Sequence, residues 1–195
     1  QLNHPILTNI NNEKLSEDDL VNFQTLEDAI REKAEITCTY NGFEFLVKPL
    51  KLALFEGFWY LLLLDSKKGN KFKKFHLKSI KDIKHSGDKF ELSSELDERV
   101  KAMNSAWANL EAPKTARLLL APEVAKYFER KPHAKQRITG QDSDGSVEIE
   151  IEFTHIMEIK PLIYYYLPFI KVLEPKELAD EVKKDVSEYL KEINF

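Results

Sequence analysis

At 195 residues, 43% hydrophobic and 32% charged, the chain holds apolar material for one large domain or two small ones with well-solvated faces. A formal net charge of -4 excludes a generic nucleic-acid binder, so any basic patch must be judged locally. Cys38 alone excludes a disulfide framework and a multi-cysteine zinc site, no apolar run approaches the ~20 residues of a membrane helix, and the first residues show no secretory-signal pattern.

In chain order, Ser16 with Asp19, and again Thr25 with Asp28, are capping-box signals that predict helices. They make residues 1–34 a helical linker segment. From Ile36 the period changes to two, with Ile36, Cys38 and Tyr40 alternating against Thr37 and Thr39. Asn41-Gly42 predicts a hairpin into Phe43–Val47, ending at Pro49. Lys51–Phe55 follows, then a turn at Glu56-Gly57 into the apolar strand Trp59–Leu64. Phe72–Leu77 and a short strand from Ile80 complete a compact all-β unit over residues 35–92, predicted to be a small antiparallel barrel.

Ser93 or Ser94 caps a predicted connecting helix within residues 93–113, its stripe formed by Leu96, Val100, Met103, Trp107 and Leu110. Beyond Ala112-Pro113-Lys114, residues 114–195 read as strand Ala116–Leu120, a helix opened by Pro122, and a hairpin of Gln136–Gly140 with Ser146–Thr154. A helix from His155 to Leu167, strand Ile170–Leu173 and a helix opened by Pro175 follow. That order predicts a ferredoxin-like, split-βαβ α/β domain with an added terminal helix, so the fold class is α+β.

Eight lysines lie between Lys67 and Lys84 against one acid, Asp82. Two readings fit them: a charged edge that prevents strand-to-strand aggregation, or cations for a phosphate backbone with aromatic rings nearby for stacking. Strand alternation puts Lys74, His76 and Lys78 on one face, with Lys73, Phe75 and Leu77 on the other. Tyr40 is the candidate pocket aromatic, its hydroxyl available to a phosphate or base. In a regular strand Trp59 and Tyr60 point to opposite faces. Glu148, Glu150 and Glu152 read as a solvated strand face, and the five histidines occur singly without metal-ligand spacing. Tyr164-Tyr165-Tyr166 fits internal packing or a dimer contact equally well. No nucleophile–base pair, metal site or phosphate loop is recognisable, so an enzyme is not expected.

The run Thr37-Cys38-Thr39-Tyr40, Val47-Lys48-Pro49-Leu50, Gly57-Phe58-Trp59-Tyr60-Leu61 and Lys74-Phe75-His76-Leu77-Lys78-Ser79-Ile80 resembles the WYL domain, named for its Trp-Tyr-Leu triplet. Residues from Ala116 to about Glu192 resemble the extension that commonly follows it, through Leu118–Lys131, the Asp144-Gly145 turn and Leu173-Glu174-Pro175. The resemblance implies an Sm-like, SH3-type barrel and a small α/β module in a cytoplasmic, homodimeric bacterial transcriptional regulator. It further implies a nucleotide or single-stranded nucleic acid as ligand, no cofactor, and a DNA-binding winged helix-turn-helix that is not within this sequence. Ligand-binding residues would be Tyr40, Lys48, Lys74, His76 and Lys78, with Trp59, Tyr60 and Leu61 as markers of the fold. At His76 and Ser79 the family usually carries arginines, so any phosphate grip here lacks the two-pronged guanidinium. A structural dimerisation module with a degenerate pocket, or an Sm-like nucleic-acid-binding accessory protein, are the competing expectations.

Overall fold

A computed structural model describes residues 11–193. Helix α1 (Glu17–Glu32) starts at the expected capping box: Ser16 Oγ accepts from the Asp19 N–H, and Asp19 accepts from the Ser16 N–H. The second predicted cap does not interrupt it. Thr25 Oγ1 instead donates to the Val21 carbonyl at 2.9 Å, a back-bond within one continuous helix.

Strands β1 (Ala34–Tyr40) and β2 (Phe43–Phe55) meet at Asn41-Gly42, whose φ angles of 49° and 83° suit a tight hairpin. Pro49 was expected to end a strand. It does not, because a register shift between Pro49 and Lys51 absorbs the missing N–H and β2 runs on. Strand β3 (Phe58–Asp65) follows the Glu56-Gly57 turn, then β4 (Lys71–His76), a 3-10 turn at Leu77–Ser79, and β5 (Ile80–Lys89).

The sheet order is β4-β3-β2-β1-β5, all antiparallel. In a flat sheet the outer strands would stand about 19 Å apart, four strand spacings. The chain from His76 to Ile80 spans at most about 14 Å, so the sheet must curl. It does not close into the predicted barrel, since no ladder among the described residues joins β4 to β5. At the seam the His76 N–H meets the Tyr40 hydroxyl at 3.4 Å, where a closed barrel would offer a strand carbonyl. The concave side holds Ile36, Cys38, Val47, Leu61, Leu63, Phe75, Leu77 and Ile80, covered by Leu26 and Ala29 of α1. Burial pushes the Cys38 thiol up to about 11.

Helix α2 (Ser94–Lys101) is shorter than its apolar spacing predicts. It ends at Ala102, ahead of Asn104-Ser105, residue types whose side chains compete for backbone groups, so Trp107 and Leu110 lie outside it. The chain divides into two compact units between Ala106 and Trp107.

The second unit contains β6 (Lys114–Leu120), α3 (Pro122–Arg130), β7 (Gln136–Gln141), β8 (Val147–Phe153), α4 (Lys160–Tyr165), β9 (Ile170–Glu174) and α5 (Lys176–Ile193). Its antiparallel sheet has the order β7-β8-β6-β9, so each helical crossover skips one strand. Ala116, Leu118, Leu120, Ile149 and Ile151 pack beneath Val124, Phe128, Ile163 and Leu178 of the helices. The single helix expected over 155–167 is instead a 3-10 turn (Ile156–Glu158) followed by α4, with Pro161 in its first turn. Lys160 is buried between Asp185 and Glu181, at 2.7 and 3.1 Å, and these carboxylates hold its ammonium charged well above the usual range. Among the described residues no helix is long and apolar enough to cross a membrane.

Candidate functional site

Pairing register assigns each basic residue of β4 to a face. His76 lies opposite Tyr60 and Lys74 opposite Leu62, while Phe75 lies opposite Leu61 and Lys73 opposite Leu63 in the core-facing set. Lys73 is therefore structural: its ammonium sits 2.7 Å from the buried Asp65 carboxylate and 4.6 Å from the Phe45 ring centroid. Lys74 and His76 share the convex face, as alternation predicts. The Lys74 ammonium stands 5.6 Å from the Phe72 centroid.

The other predicted residues are spread more widely. Lys48 pairs in register with Leu64, which faces Phe72, so it belongs to the far end of the sheet, where its Nζ donates to Asn70 Oδ1 at 3.0 Å. Tyr40 stacks on Phe75 at 3.9 Å, with an interplanar angle of 2°, and packs against the core. Its hydroxyl steadies β4 from the concave side instead of lining the convex face. Lys78 lies in the Leu77–Ser79 turn, beyond the reach of strand alternation. Of the triplet, Leu61 is fully buried, Trp59 packs edge-on against Phe23 at 4.9 Å, and Tyr60 faces the other way, 5.8 Å from the His76 ring.

His76 is the centre of the site. Phe58, 49% exposed, and Tyr60 flank its imidazole at 5.9 and 5.8 Å, both in edge-to-face geometry. Its Nε2 lies 2.9 Å from Glu13 Oε2. The carboxylate can only accept, so the imidazole carries a proton on Nε2. Glu13 Oε1 accepts from the Trp59 N–H at 2.6 Å, and the Glu13 side chain is only 8% exposed. The Glu13 N–H donates to the Gly57 carbonyl at 2.7 Å, and Lys78 Nζ donates to the Lys14 carbonyl at 2.8 Å. Residues 11–14 thus run across the site as a strap. Gly57, at φ +88°, makes room for it, because a Cβ there would stand 2.5 Å from the Asn11 carbonyl oxygen. Burial raises the Tyr60 hydroxyl's pKa, with further contributions from the Glu56 and Glu13 charges.

Glu13 is the residue of the candidate site that the sequence does not reveal. Its partner is 63 positions away, and no local spacing announces the pair. The one available signal was Gly57, a glycine that allows close backbone approach.

The basic run does not converge on a single patch. Lys67 and Lys84 line a separate cleft of about 260 Å³ with Thr37, Thr39, Glu44 and Asp82. In the second unit a cleft of about 510 Å³ is walled by Thr154 and His155. Both are engaged internally: Thr154 Oγ1 accepts from the Asn109 N–H and donates to Glu158, and the His155 ring stacks on Trp107.

The model of the WYL domain matches residues 21–85, and that of the WCX domain matches residues 112–190. A polyribonucleotide nucleotidyltransferase from Campylobacter concisus is 32% identical over 119 residues, which is 55% of this chain but only 16% of that protein. Among solved structures, a CRISPR Cas-related protein is similar in fold, with a TM-score of 0.61 and 12% identity over 91% of this chain and 53% of the other. Proteasome accessory factor B/C (PafBC) of Arthrobacter aurescens aligns at a TM-score of 0.40 and 18% identity, covering 94% of this chain and 28% of that one.

Proposed function

From a chain that carries a WYL domain followed by a WCX domain, we propose the ligand-sensing region of a bacterial transcriptional regulator. The ligand is a nucleotide or a single-stranded nucleic acid, bound on the convex face of the first sheet. Binding changes the geometry of a homodimer and so of a DNA-binding domain elsewhere in the regulator. The first unit is the Sm-like module of that family in open form, and the second its ferredoxin-like extension.

The observation that carries this reading is the setting of His76. An imidazole proton donor stands between two aromatic rings, with Lys74 and Lys78 two residues away on either side. Phosphate oxygens need the cations and the donor, and bases need the ring faces. Coupling to a distant domain requires that the ligand bind the two conformations of the regulator with different affinities.

The test is titration with oligothymidylate and with mononucleotides. Salt-sensitive binding is expected, and replacement of Lys74, His76 and Lys78 together by alanine should abolish it. Unchanged affinity in that variant would move the site elsewhere.

A structural dimerisation module is the second reading, favoured by the Glu13 carboxylate already filling the His76 position. It predicts a stable dimer in sedimentation and no response to any nucleotide or oligonucleotide.

A further inference from the structure

We propose that Glu13 is an internal substitute for the ligand's anionic group, and that the strap of residues 11–14 competes with that ligand for the His76 site. The inference rests on the sensing reading above and adds its regulation.

A carboxylate that is 8% exposed requires compensation, since an unpaired buried charge is costly. Here the compensation is an anion receptor: the Trp59 N–H at 2.6 Å to one oxygen and the His76 Nε2 proton at 2.9 Å to the other. Two donors that hold both oxygens of a carboxylate suit two oxygens of a phosphate equally well. Lys78, which now spends its ammonium on the Lys14 carbonyl, would be released to the same anion.

Among the described residues the strap is attached by few bonds. Its backbone is joined to the sheet by the Glu13 N–H to the Gly57 carbonyl and by Lys78 to the Lys14 carbonyl. Asn11, Asn12 and Lys14 are exposed, and these residues belong to neither a helix nor a strand. Glu13 is therefore the principal side-chain anchor among the described residues, and an arriving oxyanion replaces the two bonds that its carboxylate makes with the Trp59 N–H and the His76 ring, while the Gly57 carbonyl passes to water. The strap connects to Ser16 and the cap of α1 through Leu15, which packs against the core, so lifting it pulls on Leu15 and on the first turn of the helix that covers the core. Ligand occupancy is in this way transmitted to the segment that leads into the domain.

The test compares the full chain with its Glu13→Gln variant, using as probe a 5′-phosphorylated oligothymidylate of about eight nucleotides, within the range of single-strand site sizes. Inorganic phosphate and a mononucleotide serve as parallel arms and separate a free anion from a strand. Removing a competitor raises apparent affinity by at most the inverse of the open fraction, so Glu13→Gln should bind up to about tenfold more tightly for a strap that is closed some nine-tenths of the time. Hydrogen exchange supplies a second readout in the unaltered chain: the Glu13 amide should exchange faster with the probe bound. Binding that is equal in the two proteins, with the Glu13 amide unchanged, overturns the strap proposal and leaves the sensing reading intact. Absence of binding in both proteins, across all arms, overturns the sensing reading and the strap proposal with it.

Discussion

Residues on the two faces of β3 carry different duties although they are adjacent in the chain. Leu61 has no exposure and contacts the core from the middle of the curled sheet. Leu61→Ala removes buried methylenes and leaves a void, with an expected loss of about 2–5 kcal/mol in a chemical denaturation curve. A loss below about 1 kcal/mol would mean that the core around it repacks freely. Trp59 and Tyr60 were legible as a pair pointing to opposite faces, because alternation is enforced by the strand itself. Tyr40 was not: its neighbours Phe43 on β2 and Ile80 on β5 are settled by register, but its stacking on Phe75 depends on how far the sheet curls. Glu13 lay beyond any local rule for the same reason. Its value comes from the Trp59 N–H and the His76 ring, which only the folded chain brings to it.

At the level of elements, most boundaries follow from short-range chemistry. Asn41-Gly42, Pro122 and the Ser16–Asp19 box lie where strands turn and helices begin. The misreadings have physical causes. Pro49 looks like a terminator, yet a bulge accommodates it within β2. Apolar spacing from Leu96 to Leu110 looks like one long helix, yet the strip divides, with Trp107 stacking on His155 in the second unit. Helix α1 offers a test at this scale. The Ser16 N–H, followed by burial opposing it and the Ser16 hydroxyl favouring it, leaves the Asp19 carboxyl below its ordinary value. A depressed carboxyl stabilises the fold above its unfolded-state value near 3.9, and this contribution disappears as pH falls through the lower folded value. Asp19→Asn should cost about 0.3–1 kcal/mol near neutral pH, and the difference from the parent chain should shrink as pH falls below about 4. A pH-independent difference would show that the box contributes nothing through the Asp19 charge.

The molecule as a whole is two units, each with its own antiparallel sheet, helices and buried core. The α+β class was readable from the change of period at Ile36 and the β-α-β-β-α-β order after Lys114. Closure of the first sheet was not, since it depends on a seam between edges that no residue pattern encodes. A chain beginning at Trp107 contains every member of the second core, so it should fold alone and unfold cooperatively. A molten or unfolded product would contradict that assignment.

Whether the convex face around His76 holds a nucleic-acid strand is decided by the salt dependence of oligothymidylate binding. Each phosphate contact to a single strand contributes about 0.7 to the slope of log affinity against log salt. Replacing Lys74 and Lys78 by alanine should therefore weaken binding and reduce that slope by about 1.4. An unchanged slope would place the strand away from Lys74 and Lys78, and no binding by the parent chain at any salt concentration would mean that this face holds no strand.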